Sequence, residues 1–471
     1  MATPLCVDLD GTLIRSDLLY ESFLLMVKQN PLYLLMMPFW LLGGAAGLKE
    51  NIAKRVQMNP AALPYNTGFI AWLTDQHAAG RELWLCTGSN YRLAYKVADH
   101  LKIFKGVIAS THTANMTGHT KARHLIEKFG LNQFDYCGNH PVDLSVWKAG
   151  GGAIVVNGGR GLAKRAEKQA SVHKVFPRTG GLVKPVLKSL RLHQWAKNVL
   201  IFVPLAAAHL LSDATLVMHA GIAFLSFSLC ASSVYMLNDM LDLESDRMHH
   251  RKRRRPFASG DLGLPVGFAM APILLLVSLL LALSLPPMFV MVLCGYYVLT
   301  VAYSFLLKRV VLVDAITLAS LYTVRIVAGA AAIGIPLTFW LLLFSVFLFM
   351  SLAIVKRYAE LDIMRKQGKL TAAGRGYHVD DLPLLGGMGL ASGYVSVLVL
   401  ALYINSPTTA EQYRHPHVIW LLCMLLLYWI SRIWLITHRG RMHEDPVVFA
   451  MKDVTSILIG VAGFIIIMLA I

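Results

Sequence analysis

The sequence predicts an α/β domain built on a parallel sheet, followed by an all-α polytopic membrane domain. Three observations predict it. Hydrophobic residues make up 56% of the 471, and charged residues only 15%. From about Val199 onward the apolar residues fall into runs of roughly 17 to 24, the length that crosses a bilayer. Up to about residue 178, short apolar runs alternate instead with charges and polar turns. This composition excludes disordered, collagen-like and small disulfide-framework proteins.

In the first part, Leu5-Cys-Val, Glu82 to Cys86, Gly106 to Ala109, Phe134 to Cys137 and Ala153 to Val156 read as short buried strands. Helical patterns lie between them, at Tyr91 to Leu101 and Lys121 to Phe129. Such alternation predicts a Rossmann-like sheet wrapped by helices, whose ligands bind beyond the carboxyl ends of the strands. Domain 1–178 follows, with a helical cap over about 17–80. Within the cap, residues 31–48 are apolar but broken by Pro31, Pro38 and paired glycines. They predict either a packed cap core or a hairpin lying against the bilayer.

Residues 179–471 form the membrane domain. About nine spans are expected, near 196–212, 215–238, 266–285, 287–306, 312–334, 337–356, 385–405, 417–437 and 454–471. With the N-terminal domain in the cytosol, the cytosolic loops carry basic runs such as Arg251 to Arg255 and Lys308-Arg309, whereas the opposite loops carry Arg414. That asymmetry follows the positive-inside rule for an odd number of spans. Met1-Ala-Thr-Pro-Leu-Cys lacks a basic n-region, so no signal peptide is expected. Forty-four Lys plus Arg against 27 Asp plus Glu give +17. Because this charge tracks topology, nucleic acid is not an expected partner. The six cysteines, without CxxC spacing, read as reduced core residues.

Two constellations carry chemistry. After the first strand comes Asp8-Leu-Asp10-Gly-Thr. Side chains two apart on an extended chain face the same way, so Asp8 and Asp10 can converge on one cation. Thr87-Gly-Ser, Lys121 and Asn139-His-Pro-Val-Asp143 follow in order. This pattern resembles the haloacid dehalogenase superfamily. The resemblance implies that Asp8 is the nucleophile and Asp10 the general acid/base. It also implies that Thr87 holds phosphoryl oxygens, that Lys121 offsets anionic charge, and that Asp8, Asp10 and Asp143 hold Mg²⁺. Asn139 departs from that pattern by standing where an acid is usual.

The second constellation is Asn238-Asp239-Met-Leu-Asp242-Leu-Glu-Ser-Asp246-Arg247, followed by Lys252 and Arg255-Pro256. On a helix Asn238, Asp242 and Asp246 share a face, with Asp239 beside them. Like charges at that spacing repel, and carboxylates near hydrocarbon are costly, so a divalent cation is the natural compensation. Magnesium completes its shell with substrate phosphates, which points to a diphosphate ligand.

This motif resembles the UbiA superfamily of intramembrane prenyltransferases. Gln194, Lys197, Asn198, Tyr303, Lys308, Asp314, Arg325, Lys356 and Arg357, in their local sequences, are similar to its decaprenyl-phosphate phosphoribosyltransferase branch. The resemblance implies transfer of 5-phosphoribosyl from phosphoribosyl diphosphate (PRPP) to a polyprenyl phosphate. Asp239, Asp242 and Asp246 would hold Mg²⁺, with Asn238 orienting. Lys252, Arg255 and Lys308 would grip phosphate oxygens, while Gln194, Lys197, Asn198, Lys356 and Arg357 line the polar mouth. Arg247, Tyr303 and Arg325 complete the expected substrate contacts; Asp314 is either a ligand or a helix cap.

Together the halves suggest a bifunctional enzyme of a bacterial-type inner membrane and cell envelope, with its active sites facing the cytosol. The N-terminal domain would remove the 5-phosphate from the lipid product. The alternative is a transferase using a prenyl diphosphate donor and an aromatic or lipid acceptor, with a regulatory or inactive N-terminal domain. The sequence leaves homo-oligomer formation open.

Overall fold

The structure, a computed structural model, describes residues 3–112, 114–159, 161–178, 180–370, 376–406, 413–442 and 445–470. The chain divides into two compact units, residues 1–190 with 235–271, and residues 191–234 with 272–471.

The first unit holds six parallel strands: β1 (Leu5–Val7), β2 (Leu83–Asn90), β3 (Gly106–Ser110), β4 (Asp135–Gly138), β5 (Gly152–Val156) and β6 (Val172–Phe176), in the order β3-β2-β1-β4-β5-β6. The order reverses between β1 and β4, which opens a crevice beyond their carboxyl ends. Leu5, Cys6 and Val7 are fully buried, as a central parallel strand requires. On one face Phe134, Tyr136, Trp147 and Leu125 form the core. β6 was not expected from sequence. Its exposed His173 and Lys174 mark an edge strand, where charge protects the open ladder but hides the hydrophobic pattern.

The cap is helical: Leu18–Gln29, Gly44–Arg55 and Thr67–Ala78, joined by short 3-10 turns. Asp17 caps the first of these by accepting from the Leu19 and Tyr20 N–H groups. Residues 31–42 do not form a packed cap core. Leu32, Leu35, Phe39 and Leu42 are 66%, 72%, 71% and 86% exposed, because Pro31 and Pro38 break the segment into pieces too short to fold back on the sheet.

Residues 235–271 belong to the first compact unit. Helix Ala214–Leu241 stops at Asp242, which has non-helical backbone, and a short helix Leu243–Met248 follows. Phe268, near the start of helix Leu264–Ala282, packs 5.5 Å from Tyr20 and 5.7 Å from Phe23. These apolar contacts give the polar segment its place in the unit.

Seven helices among the described residues are long and apolar enough to cross a membrane, where about nine spans were expected. The forecast span 196–212 is instead a 3-10 helix, Leu192–Phe202, and a short helix, Val203–Ala207. Pro204 lacks an N–H, and His209 has φ 58°, so no single α-helix can run through. Val454–Ala470 is helical and apolar, but its 17 residues reach only about 25 Å.

In the second unit, Tyr322, Phe349, Tyr358 and Trp434 sit in a core shared by helices Val313–Ile333, Phe339–Lys366 and Trp420–His438. Gly329 lets the first of these approach the 3-10 helix: a Cβ there would fall 2.0 Å from the Ile201 carbonyl oxygen.

Candidate functional site

A cavity of about 580 Å³ lies beyond β1 and β4, lined by Asp8, Asp10, Lys49, Lys121, Asn139 and Asp143 among others, and by Gly263, Leu264 and Pro265. Lys121 donates to Asp8 Oδ1 at 2.9 Å and to the Tyr136 hydroxyl at 2.6 Å. Asp10 accepts from the Leu18 N–H at 2.8 Å and from Ser89 at 2.6 Å. Gly11 has φ +72°, and a Cβ on it would meet Asn139 Nδ2 at 2.0 Å; only glycine lets the Asn139 amide close over this turn.

Burial pushes the Asp8 carboxyl up to about 7, against the pull of Lys121 and with Asp143 and Asp10 adding repulsion. Burial, with Asp17 beside it, raises Asp10 to about 6, and hydrogen bonds from Ser89 and Leu18 oppose this. Burial disfavours the Lys121 ammonium, but Asp8 and Asp143 outweigh it and raise its pKa. The acids are thus short of compensating positive charge, which is the condition a cation relieves.

Thr87 is fully buried and turns its hydroxyl toward Asp10 at 3.4 Å; Gly88 and Ser89 form the cavity wall at that strand end. Asp143 accepts from the Asn139 and His140 N–H groups at 3.1 and 3.0 Å and from Tyr136 at 3.2 Å, so it braces the β4 loop. Lys49 was missed by sequence reasoning. It comes from the cap, donates to the Gly88 carbonyl at 2.6 Å, and lies in the mixed helix Gly44–Arg55, which gives no motif signal.

The acidic segment forms a second site in the same unit. Arg255 Nη1 donates to Asp239 Oδ1 at 3.0 Å and to Asp246 Oδ2 at 2.6 Å, while Lys28 donates to Asp242 Oδ1 at 2.9 Å. Asn238, Asp242 and Asp246 keep their i, i+4 register, since the Asp242 N–H bonds the Asn238 carbonyl at 3.0 Å and the Asp246 N–H the Asp242 carbonyl at 2.8 Å, although Asp242 itself departs from helical backbone; Arg255 brings Asp239 and Asp246 together. Arg247 is occupied by Glu21, through both carboxylate oxygens, and by the Ala258 carbonyl, so it braces the segment. Lys252 lies exposed on the turn Lys252–Arg254, and Asn238 is half-buried near the end of its helix.

Among the described residues no group of three or more His, Cys, Asp or Glu converges closely enough to hold a metal ion. Both sites nevertheless offer hard oxygen donors. Magnesium needs only one or two carboxylates when waters and substrate phosphates complete its shell, so Asp8 with Asp10, and one or two of Asp239, Asp242 and Asp246, fit it.

The second unit gathers two polar clusters. Asp445 accepts from Lys197 at 2.7 Å, Tyr322 at 2.7 Å and Lys356 at 3.3 Å. Although burial works against it, the two ammonium groups hold the Asp445 carboxyl well below the usual range. Beside Lys197, Asn198 accepts from Arg325 Nε at 2.8 Å and donates to Ser228, and the Arg325 guanidinium lies 5.4 Å from the Phe227 and Tyr296 ring centres. Asp445 had no sequence signal, since it stands far along the chain from both lysines. In the other cluster Asp314 binds Arg357 and the Tyr303 hydroxyl; of its two alternatives the helix cap does not apply, because Leu312 occupies the cap position. Gln194 and Lys308 are half-buried in the 3-10 segments Leu192–Phe202 and Leu307–Arg309, and Trp195 donates to Ser232 at 3.0 Å.

A bundle of helices long and apolar enough to cross a bilayer, with an acidic segment held by basic side chains, defines a multi-pass membrane protein. The chain belongs to the UbiA prenyltransferase family, whose model matches residues 199–454. It is 38% identical over 97% of its length, and 89% of the relative's, to the uncharacterised protein y4nM of Sinorhizobium fredii. The nodulation protein NoeC of Azorhizobium caulinodans is 34% identical over 58% of this chain and 88% of its own. The decaprenyl-phosphate phosphoribosyltransferase of Mycobacterium tuberculosis is 39% identical over 40% of this chain and 63% of its own.

Proposed function

We propose that the chain transfers 5-phosphoribosyl from PRPP to a polyprenyl phosphate, and that its N-terminal domain then hydrolyses the 5-phosphate. The observation that carries the first step is the segment Asp239–Arg255. Its Asp239, Asp242 and Asp246 carboxylates are held by Arg255 and Lys28, cations that a magnesium diphosphate can replace. The family membership and the name of the mycobacterial relative support the choice of substrates.

In this reading Asp239, Asp242 and Asp246 orient the donor's diphosphate, and Arg255 and Lys252 follow the charge that leaves with it. Bound Mg²⁺ supplies Lewis-acid stabilisation of the leaving diphosphate. A lipid phosphate oxygen bonds to the ribose C1 as the bond from C1 to diphosphate oxygen breaks. The nucleophile is already anionic, so the residues supply positioning and charge stabilisation rather than a strong base.

For the second step, Asp8 is the nucleophile toward the 5-phosphomonoester, Asp10 the proton donor and acceptor, and Lys121 and Ser89 hold phosphoryl oxygens. The wall formed by Gly263, Leu264 and Pro265 brings the start of an apolar helix to this cavity, which suits a lipid-linked substrate. The exposed apolar side chains of residues 31–42 suit a cap that rests on the bilayer. The basic loops support a reading in which both reactions face the cytosolic side of a bacterial-type inner membrane.

The test is incubation of detergent-purified protein with Mg²⁺, labelled PRPP and a polyprenyl phosphate. Labelled lipid is the expected result. Absence of labelled lipid, with turnover of a prenyl diphosphate instead, would replace this reading by prenyl transfer.

A further inference from the structure

Helix Leu18–Gln29 touches both sites of the first unit. At its start the Leu18 N–H donates to Asp10, and Asp17 lines the phosphatase cavity. In its last turn Lys28 reaches Asp242 at 2.9 Å. Twelve helical residues make a rod about 18 Å long. The rod is fixed in its first half by the Glu21–Arg247 pair, whose side chains are 8% and 9% exposed, and by Tyr20 and Phe23 against Phe268.

The Lys28–Asp242 pair differs from that brace. Its side chains keep 30% and 28% of their exposure, so a ligand can reach them. Lys28 has an ammonium with three donors on a flexible stem, able to keep one bond to a carboxylate while giving another to a phosphate oxygen. Asp239 and Asp246 share Arg255, and Lys28 brings a second cation to the segment from a distant part of the chain. Once a divalent cation takes Asp242, the displaced ammonium lies within reach of whatever anion accompanies that cation.

We propose that Lys28, a residue of the N-terminal domain, binds the diphosphate at the acidic segment of the transferase. The proposal rests on reading Asp239–Arg255 as the diphosphate site. It makes the first domain part of the transferase machinery as well as the following enzyme.

The test is calorimetric binding of inorganic diphosphate with Mg²⁺, and of Mg²⁺ alone, to the full-length protein in detergent, using wild type, Lys28→Met and Lys28→Arg. Lys28→Met is expected to weaken magnesium diphosphate binding about tenfold, as loss of one charged hydrogen bond does. Mg²⁺ alone should bind Lys28→Met at least as tightly as wild type, since a competing cation has gone. Lys28→Arg should restore most of the diphosphate affinity. A purely structural contact would lower both affinities together, and that result overturns the proposal. Equal diphosphate binding by wild type and Lys28→Met also overturns it, while the reading of the segment stands. Failure of wild type itself to bind magnesium diphosphate would instead remove the underlying reading.

Discussion

Arg357 grips both carboxylate oxygens of Asp314, through Nε to Oδ2 and through Nη2 to Oδ1 at 3.0 Å, with side chains 2% and 0% exposed. The pair ties helix Phe339–Lys366 to helix Val313–Ile333, and Tyr303 joins it from a third helix. Arg357→Met would leave Asp314 buried with its charge uncompensated, a loss of about 3–5 kcal/mol. Arg357→Lys should lose less, because it keeps the charge but not the two-pronged geometry. Thermal unfolding in detergent reads both, and equal midpoints for wild type and Arg357→Met would contradict the account.

A pH dependence follows from Asp8 and Asp10. Their folded values lie near 7 and 6, above the ordinary 3.8, so between about pH 4 and 7 the folded state holds more protons than the unfolded one. The contribution of these two acids to stability is therefore present below pH 4 and lost as pH rises toward 7. In chelator the melting of the first unit should shift down between pH 5 and 7, and Asp8→Asn should reduce that shift. Added Mg²⁺ should also reduce it. An identical pH profile for wild type and Asp8→Asn would contradict the assignment.

Gly11→Ala tests the turn that presents Asp10. Its φ of +72° costs an alanine roughly 1–2 kcal/mol, and the new Cβ must displace the Asn139 amide. Hydrolysis of a phosphomonoester by the full-length variant should fall at least about tenfold with the sheet still folded. Unchanged hydrolysis would show that the Asn139–Gly11 contact has no part in the site.

The exposed apolar side chains of residues 31–42 predict a lipid contact. Leu35→Asp with Phe39→Asp adds charge where the side chains are 72% and 71% exposed, so folding in detergent should be unaffected. Quenching of a fluorophore at position 35 by spin-labelled lipid in nanodiscs should be strong in the otherwise native protein and weak once Phe39 is aspartate. No quenching in either protein would remove this segment from the bilayer surface.

Much of this was legible in the sequence because the signals are local. DxDGT after an apolar run places two acids at a strand end, and the run of Asp239, Asp242 and Asp246 places acids beside basic residues. What was not legible depends on distant partners or on broken periodicity. Lys28 and Glu21 show nothing in sequence to link them with Asp242 and Arg247, and Asp445 lies far from Lys197. The segment 196–212 has the hydropathy of a span, yet Pro204 and the left-handed His209 turn it into shorter pieces. Its Lys197 and Asn198, both buried, are what this irregular backbone positions.

The most direct measurement compares the lipid products of wild type, Asp8→Asn and Asp242→Asn after incubation with Mg²⁺, labelled PRPP and a polyprenyl phosphate, resolved by mass. The account predicts a polyprenyl-phosphoryl-ribose from wild type, the same lipid still carrying its 5-phosphate from Asp8→Asn, and little labelled lipid from Asp242→Asn. Identical products from wild type and Asp8→Asn would contradict the hydrolytic step, and undiminished labelled lipid from Asp242→Asn would contradict the transferase site.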